Sequence, residues 1–397
     1  MQLWNTLTRA KEEFVAGPIV RMYVCGITPY ATTHLGHART YLIFDVLIRE
    51  IERRGHAVRY TQNVTDVDDP LFERAQQLGT TTAELARDCT RQFQDDLAAL
   101  SIRPPDFYPR ASDEIPEIQR LIGALLVGGY AYQSENWVYF RVKSSARYGI
   151  LSRLDRDRML ISADDHGEDT RDPRKEDRLD FVLWKPSLPG ETSWASPWGT
   201  GRPGWHIECS AMALHYLGPE LDIHGGGTDL IYPHHENEIA QSEAATGHAP
   251  LARYWIHAAM VRLGDTKMSK SLGNMVFVRD LRKRIGAVAI RHYLLTSHYR
   301  TELDYSEDDL NQSVARVNRL DRALAGSATH GESVPITARQ NEFDAALADD
   351  LNTPLALKIL DGAVDEVLGG EGNADSTASR AAVRRMAVRL GLAEDVE

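Results

Sequence analysis

His34 and His37 flank Gly36 in Thr28-Pro-Tyr-Ala-Thr-Thr-His34-Leu-Gly-His37, and their types and spacing suit chemistry on a phosphate. Two imidazoles at the start of a helix can donate to a phosphate oxygen as charge develops. Gly36 lets a ligand approach the backbone, and the helix N-terminus favours anions. Thr28 and Tyr30 stand in the same loop. Taken alone, this run is equally a pair of capping and packing histidines. A second run, Gly264-Asp-Thr-Lys267-Met-Ser-Lys270-Ser271-Leu-Gly-Asn274, sets two lysines in a glycine-flanked loop. That arrangement suits a polyphosphate whose leaving group needs charge neutralisation; a solvated surface turn is the plainer alternative. A third set is dispersed: Cys25, Cys209, His234 and Glu238. His234 and Glu238 are one helical turn apart and share a helix face. Two thiolates, an imidazole and a carboxylate make a donor set suited to zinc. Read cold, the same residues are also core cysteines and a surface pair.

The elements that must position these groups follow from apolar patterning. Arg21 to Cys25 reads as a buried strand, and Gly26 to Tyr30 as the loop leaving it. A helix is expected over about His37 to Arg54 and a second strand over Ala57 to Val64, a crossover unit that implies a parallel sheet. Thr82 to Tyr132 is mostly helical in pattern, broken at Pro104-Pro105, and is read as an insertion reaching to about residue 190. Residues 150 to 190 are polar and are expected to form loops, with strands near Asp180 to Trp184, Leu221 to His224 and Trp255 to Val261. A helix is expected from near His234. From Asp308 the pattern is helical to the end, with linkers at Ala325 to Thr337 and Gly369 to Ser379. The expected domains are therefore a catalytic unit over 1–305 and a helical one over 306–397.

The chain has 397 residues, 43% hydrophobic and 26% charged, ample for a substantial core. Mean hydropathy is -0.37 and no apolar run is long enough to span a bilayer. No signal peptide is evident, and three widely separated cysteines argue against a disulfide framework, so the expected setting is the cytoplasm, without membrane. Net charge is 45 minus 57, or -12, so any nucleic acid must meet a local basic face. Arg279, Arg282, Lys283 and Arg284 form one such cluster, and Arg380, Arg384, Arg385 and Arg389 another; either is equally a solvated helix surface.

The first two runs, on one parallel sheet, resemble the two signature sequences of class I aminoacyl-tRNA synthetases. Cys25-Gly-Ile-Thr-Pro-Tyr30, Asn63-Val-Thr-Asp-Val-Asp-Asp69, Gly201-Arg-Pro-Gly-Trp-His-Ile-Glu-Cys-Ser-Ala-Met212, Asp222-Ile-His-Gly-Gly-Gly-Thr-Asp-Leu230 and Pro233-His-His-Glu-Asn-Glu-Ile-Ala-Gln-Ser-Glu243 narrow the resemblance to the cysteinyl-tRNA synthetase family. The likeness covers roughly residues 1 to 325. It implies an α/β fold, a Rossmann-type parallel-sheet catalytic domain with an inserted helical segment and a C-terminal helical domain. It also implies L-cysteine, ATP with Mg2+ and tRNA(Cys) as substrates, one zinc ion and a monomer. By position Cys25, Cys209, His234 and Glu238 fall on the family's zinc ligands. Gly26, Thr65, Trp205 and Asp229 fall on substrate-pocket positions, with His206 and His224 beside them. His34, His37, Lys267 and Lys270 carry the catalytic roles. Thr28, Tyr30, Gly36, Gly225, Gly226, Met268, Ser269 and Ser271 fall on nucleotide-binding positions. Cysteine differs from serine by one atom, so a pocket that reads shape discriminates poorly. Zinc that binds the softer sulfur as a thiolate would select at binding.

Two features depart from the pattern. The chain stops at Glu397, where family members usually continue into a small anticodon-binding domain, so a short form lacking that tail is expected. Ala31 follows Tyr30 where this group usually carries Asp. A sister family, the ligase that joins cysteine to glucosaminyl-inositol in mycothiol biosynthesis, has the same truncated architecture and a similar Thr-Pro-Tyr and Asn-Val-Thr-Asp-Val-Asp-Asp-Pro70. Retention of Glu238, Asp180-Phe-Val-Leu-Trp-Lys185 and Ser271-Leu-Gly-Asn274 favours the tRNA enzyme. A small amine acceptor is the alternative, and a non-catalytic zinc-binding paralogue a third.

Overall fold

The computed structural model describes residues 1–264, 266–267, 275–325, 338–369 and 376–395, with only the backbone of 266–267 and 376–378. Four parallel strands form its centre, in the spatial order Ala252–Ala258, Leu221–Gly227, Ile19–Ile27, Ala57–Val64. Their residues are apolar along most of their length because both faces are covered. The helix Leu35–Arg53 crosses from the first strand to Ala57–Val64 and buries Leu42, Phe44, Leu47 and Ile51 against the sheet. It is fixed at its far side by Arg291, whose guanidinium pairs with Asp45 and donates to the carbonyl of Leu100 at 2.8 Å. Both members of that pair are buried, so removing either one would leave a lone interior charge.

The segment expected to be mostly helical from Thr82 to Tyr132 is two helices, Thr82–Ala99 and Ile115–Val127, on either side of the expected break at Pro104-Pro105; at its end, where helix was expected, the chain turns into a hairpin. Ala131–Ser134, Trp137–Phe140, Phe181–Lys185 and Arg202–Pro203 build a second, antiparallel sheet with its own apolar core. The insertion thus carries a sheet beside its helices. Within the stretch expected to be loop, Arg156–Asp165 is helical. Asp155 caps it by accepting from the Arg158 amide at 2.9 Å, and Met159, Leu160 and Ala163 bury on one side. The expected strand Trp255 to Val261 starts earlier, at Ala252, because its partner Leu221–Gly227 begins opposite that residue; Val261–Leu263 is a separate strand.

The helix Trp205–Leu217 lies between the two sheets. Ile207 and Ala211 enter the insertion's core, whereas Cys209, Met212 and Ala213 enter a core shared with the parallel sheet. Helices Glu307–Leu324, Ala338–Ala348, Thr353–Gly369 and Ser376–Arg389 follow, and one apolar core runs from the parallel sheet into them. Most of the two expected linkers, 326–337 and 370–375, lies outside the described residues. The basic residues of the last helix turn inward: Arg389 pairs with Glu50 and Asp344, and Arg380 donates to the carbonyl of Ala323. In the other basic cluster Arg282 pairs with Asp96, Lys283 with Asp280 and Arg284 with Glu307, while Arg279 donates to Gln92. Both clusters are therefore engaged within the chain. No helix among the described residues is long and apolar enough to cross a membrane.

Candidate active site

The strands Ile19–Ile27 and Ala57–Val64 stay in register as far as Val24 and slip before resuming at Ile27 opposite Val64. In the gap the Gly26 amide donates to Oδ1 of Asn63 at 2.8 Å, and the Tyr41 hydroxyl donates to the Cys25 carbonyl at 2.9 Å. A Cβ on Gly26 would lie 1.6 Å from the Asn63 carbonyl oxygen, so only glycine fits here. Cys25 is thereby held at the carboxyl end of a central strand, where open parallel sheets place their ligands.

A cavity of about 480 Å3 opens beside it, lined by Cys25, Gly26, Thr28, Tyr30, His34, Gly36, His37, Trp205 and Asp229. Thr40, Tyr41, Gly227, Leu230, Ala259, Met260 and Met275 complete the wall; Gly227 and Leu230 stand within a quoted motif without having been candidates, and the others carried no signal beyond their proximity to the motifs. Thr65, His206 and His224 lie deeper, each almost wholly buried. Gly225 and Gly226 are not in the wall: a Cβ on Gly225 would meet Phe44 at 2.2 Å, and one on Gly226 would meet Leu230 at 2.8 Å. Their smallness serves packing of the sheet against its neighbours.

His34 caps the helix Leu35–Arg53, its Nδ1 accepting from the His37 amide at 3.3 Å. The neutral ring then carries its proton on Nε2. The two rings lie 3.6 Å apart between centroids, and a Cβ on Gly36 would touch the His34 ring at 2.9 Å. The segment after the lysine run docks here: the Leu35 amide donates to Val276 and the Val278 amide to Thr33, each at 3.0 Å. The first signature and the segment that follows the second, remote in sequence, thus meet at one end of the sheet. Lys267 lies in the short strand Thr266–Lys267, paired with Arg262; Met268, Ser269, Lys270 and Ser271 lie outside the described residues.

Cys25, Cys209, His234 and Glu238 come together with their donor atoms within 4.8 Å of one another, all buried. Oε1 of Glu238 is 3.3 Å from Sγ of Cys25 and 3.1 Å from Nε2 of His234. Its Oε2 faces Nε2 of His224 at 3.0 Å. Burial works to raise the Cys209 thiol, but the hydrogen bond from Cys25 and the charge on His234 outweigh it and bring it down to about 6. Burial likewise opposes charge on His234, and Cys209 with Glu238 lifts that imidazole to about 10. Against burial, His224 and His234 hold the Glu238 carboxyl well below its usual range. Burial, with Cys209 and Glu238 beside it, pushes the Cys25 thiol well up. The cluster is therefore a dry set in which the Cys209 sulfur and the Glu238 carboxylate are anionic, Cys25 keeps its proton and His234 carries one, and a metal cation binding there would displace the protons on Cys25 and on the nitrogen that it meets. Two sulfurs, one nitrogen and one oxygen fit zinc, and these residues can hold it. Trp205 covers the cluster, stacked on His234 at 4.2 Å and facing the cavity on its other side.

A second cavity of about 650 Å3 shares Thr28, Tyr30 and Trp205 with the first and is walled by the insertion through Trp137, Glu168, Asp172, Arg174 and Lys175. Its cations are engaged by carboxylates: Arg174 with Asp172, Lys175 with Glu168, and Lys185 and Arg202 with Asp69. None of these insertion residues was among the candidates, because Glu168, Asp172, Arg174 and Lys175 stand in a polar stretch without periodicity and Trp137 in a four-residue strand.

Residues 12–315 match the family described as tRNA synthetases class I (C) catalytic domain. The chain belongs to that family. As a class I (C) synthetase it is 43% identical to a cysteine–tRNA ligase of Dehalococcoides mccartyi over 398 residues, 99% of this chain and 86% of the relative. It is equally 43% identical to the cysteine–tRNA ligase of Cronobacter sakazakii over 399 residues, with the same shares. Among solved structures it is similar to Mycobacterium tuberculosis methionyl-tRNA synthetase in complex with methionyl-adenylate, at TM-score 0.65 and 17% identity, over 95% of this chain and 90% of that one. The ternary complex of Agrobacterium radiobacter leucyl-tRNA synthetase has TM-score 0.62 at 13% identity, over 95% and 84%. Those structures carry the α/β Rossmann-like synthetase fold.

Proposed function

We propose that this class I (C) synthetase activates L-cysteine with ATP and transfers it to the 3′ end of tRNA(Cys). The observation that carries the reading is the buried cluster of Cys25, Cys209, His234 and Glu238, which borders through Cys25 the cavity that also holds His34 and His37. Zinc held there would bind the substrate sulfur as thiolate and so rank cysteine above serine. The cysteine carboxylate attacks the α-phosphorus of ATP, a carboxyl–phosphate bond forms, and pyrophosphate leaves with the electrons of the broken bond. His34, with its proton on Nε2, donates to the phosphate region together with His37. Lys267 and Lys270 neutralise the departing pyrophosphate, and Thr28, Tyr30 and Gly36 hold the nucleotide. A terminal ribose hydroxyl of the tRNA then attacks the carbonyl and AMP departs. Similarity to cysteine–tRNA ligases over nearly the whole chain supports the assignment.

The second cavity favours a second reading. Four of its cations are committed to carboxylates, while Asp68, Asp165 and Asp169 also line it, so a cationic amine is better matched there than a phosphate chain. On that reading the adenylate is transferred to the amine of glucosaminyl-inositol. The test is labelled-cysteine transfer, with ATP and zinc-loaded protein, run in parallel on total tRNA and on glucosaminyl-inositol. Charged tRNA supports the first reading, and amide formed with the sugar alone supports the second. A protein without cysteine-dependent exchange of pyrophosphate into ATP would be a non-catalytic zinc-binding relative, and both readings would fall.

A further inference from the structure

His234 turns Nε2 to the donor cluster and Nδ1 to Nδ1 of His206, 2.9 Å away. On the far side of His206, Nε2 stands 3.6 Å from Oε1 of Glu168. The other oxygen of Glu168 accepts from Nζ of Lys175 at 3.1 Å. The His234, His206 and Lys175 side chains are each 2% exposed or less, and Glu168 is 17% exposed. Glu168 is part of the insertion, just past the helix Arg156–Asp165. His206 and Cys209 share the helix Trp205–Leu217.

Counting protons along this row leaves one arrangement. A metal on Nε2 of His234 requires the proton of the neutral ring on Nδ1, which must then donate. Nδ1 of His206 can only be the acceptor, so the His206 proton sits on Nε2 and points at Glu168. A carboxylate accepts and never donates, so it closes the row. Metal-bound histidines usually donate their outer N–H directly to a carboxylate or carbonyl. Here a second imidazole stands between, and the carboxylate comes from another part of the fold.

We propose that Glu168 is a positioning residue for the metal ligand His234, acting through His206, so that the insertion fixes the orientation of a ligand in the parallel-sheet domain. The inference rests on the zinc reading above and adds to it the residue outside the donor set that orients one of its members.

The test measures zinc affinity of the full chain by chelator competition, for wild type, Glu168→Met, Glu168→Gln and His206→Phe. Glu168→Met and His206→Phe are expected to bind zinc roughly 10- to 100-fold more weakly. Glu168→Gln keeps an acceptor oxygen facing the same N–H and is expected to retain most of the affinity. Affinity of Glu168→Met within about twofold of wild type would overturn the proposal, and so would equal losses in the Met and Gln variants, which mark a merely structural role. Should the Met variant not fold, nitrogen-15 spectra of histidine-labelled, zinc-loaded wild type decide: His206 is expected as the Nε2–H tautomer and His234 as Nδ1–H, and His206 protonated on Nδ1 overturns the row. Wild-type protein that takes up no zinc removes the metal reading and the row with it, a result distinct from zinc-loaded protein indifferent to residue 168.

Discussion

Glu238 divides its carboxylate between two duties: Oε2 meets Nε2 of His224 at 3.0 Å, while Oε1 faces Nε2 of His234 at 3.1 Å. One oxygen is thus anchored to the central sheet and the other is presented to the donor cluster. Replacing Glu238 by Gln keeps the shape, removes the charge and offers an amide where an anion stood. We expect zinc affinity to fall at least tenfold and discrimination of cysteine from serine in pyrophosphate exchange to fall with it. Chelator competition and exchange with each amino acid check this; unchanged affinity would remove Glu238 from the donor set.

His34 both caps a helix and lines the cavity, and two substitutions separate these roles. Asn caps well, so His34→Asn should keep the melting temperature while lowering the exchange rate by about 100-fold. His34→Ala should lose the same activity and, in addition, about 1 kcal/mol of stability. Equal activity of His34→Asn and wild type would leave the ring with capping alone.

Gly26→Ala places a methyl group 1.6 Å from the Asn63 carbonyl oxygen. The two strands must part to admit it. A loss of about 2 kcal/mol or more is expected in urea unfolding, with zinc affinity lowered because Cys25 moves. A variant as stable as wild type would contradict the close approach.

His292 is 3% exposed, and neither ring nitrogen has a hydrogen-bond partner among the described residues. Burial, then the charge of Arg316, pushes its imidazole down to about 4 from an ordinary 6.5. Asp304, Asp309, Lys358 and Asp361 line the same groove. Between those two pH values the unfolded chain binds a proton that the folded chain does not. The contribution to stability is therefore whole above pH 6.5 and lost as pH falls towards 4, by up to roughly 3 kcal/mol. His292→Phe should flatten that slope, measured by urea unfolding at pH 7 and pH 5; an identical slope in the variant would count against it.

Much of the central fold was legible because its signals are local. Ala57–Val64 matches its expected bounds and Leu35–Arg53 nearly so, since apolar runs there are bounded by Gly26, Gly55 and Gly36. The spacing of His234 and Glu238 carried over directly as an ion pair one turn apart. The hairpin at 131–140 was not legible: its strands are four residues each, too short for alternation to stand out beside the preceding helix. Arg156–Asp165 was hidden by its polarity, although Asp155 was a capping signal. Gly225 and Gly226 stand in a motif but answer to Phe44 and Leu230, a distinction that only three-dimensional packing draws. Glu168 is illegible for the same reason, because its partner His206 lies across a turn, a strand and a loop.

The slip in register beside Cys25 has a mechanical consequence. Everywhere else on that strand a residue inherits its position from the ladder, and any twisting of the sheet is passed along from neighbour to neighbour. At Cys25 and Gly26 the ladder is interrupted and two side chains, Asn63 and Tyr41, hold the backbone instead. Tyr41 belongs to the helix, so the thiol is referenced to two elements at once, like a bearing fixed to both halves of a frame. The position of the sulfur is therefore set jointly by a neighbouring strand, through Asn63, and by a helix, through Tyr41.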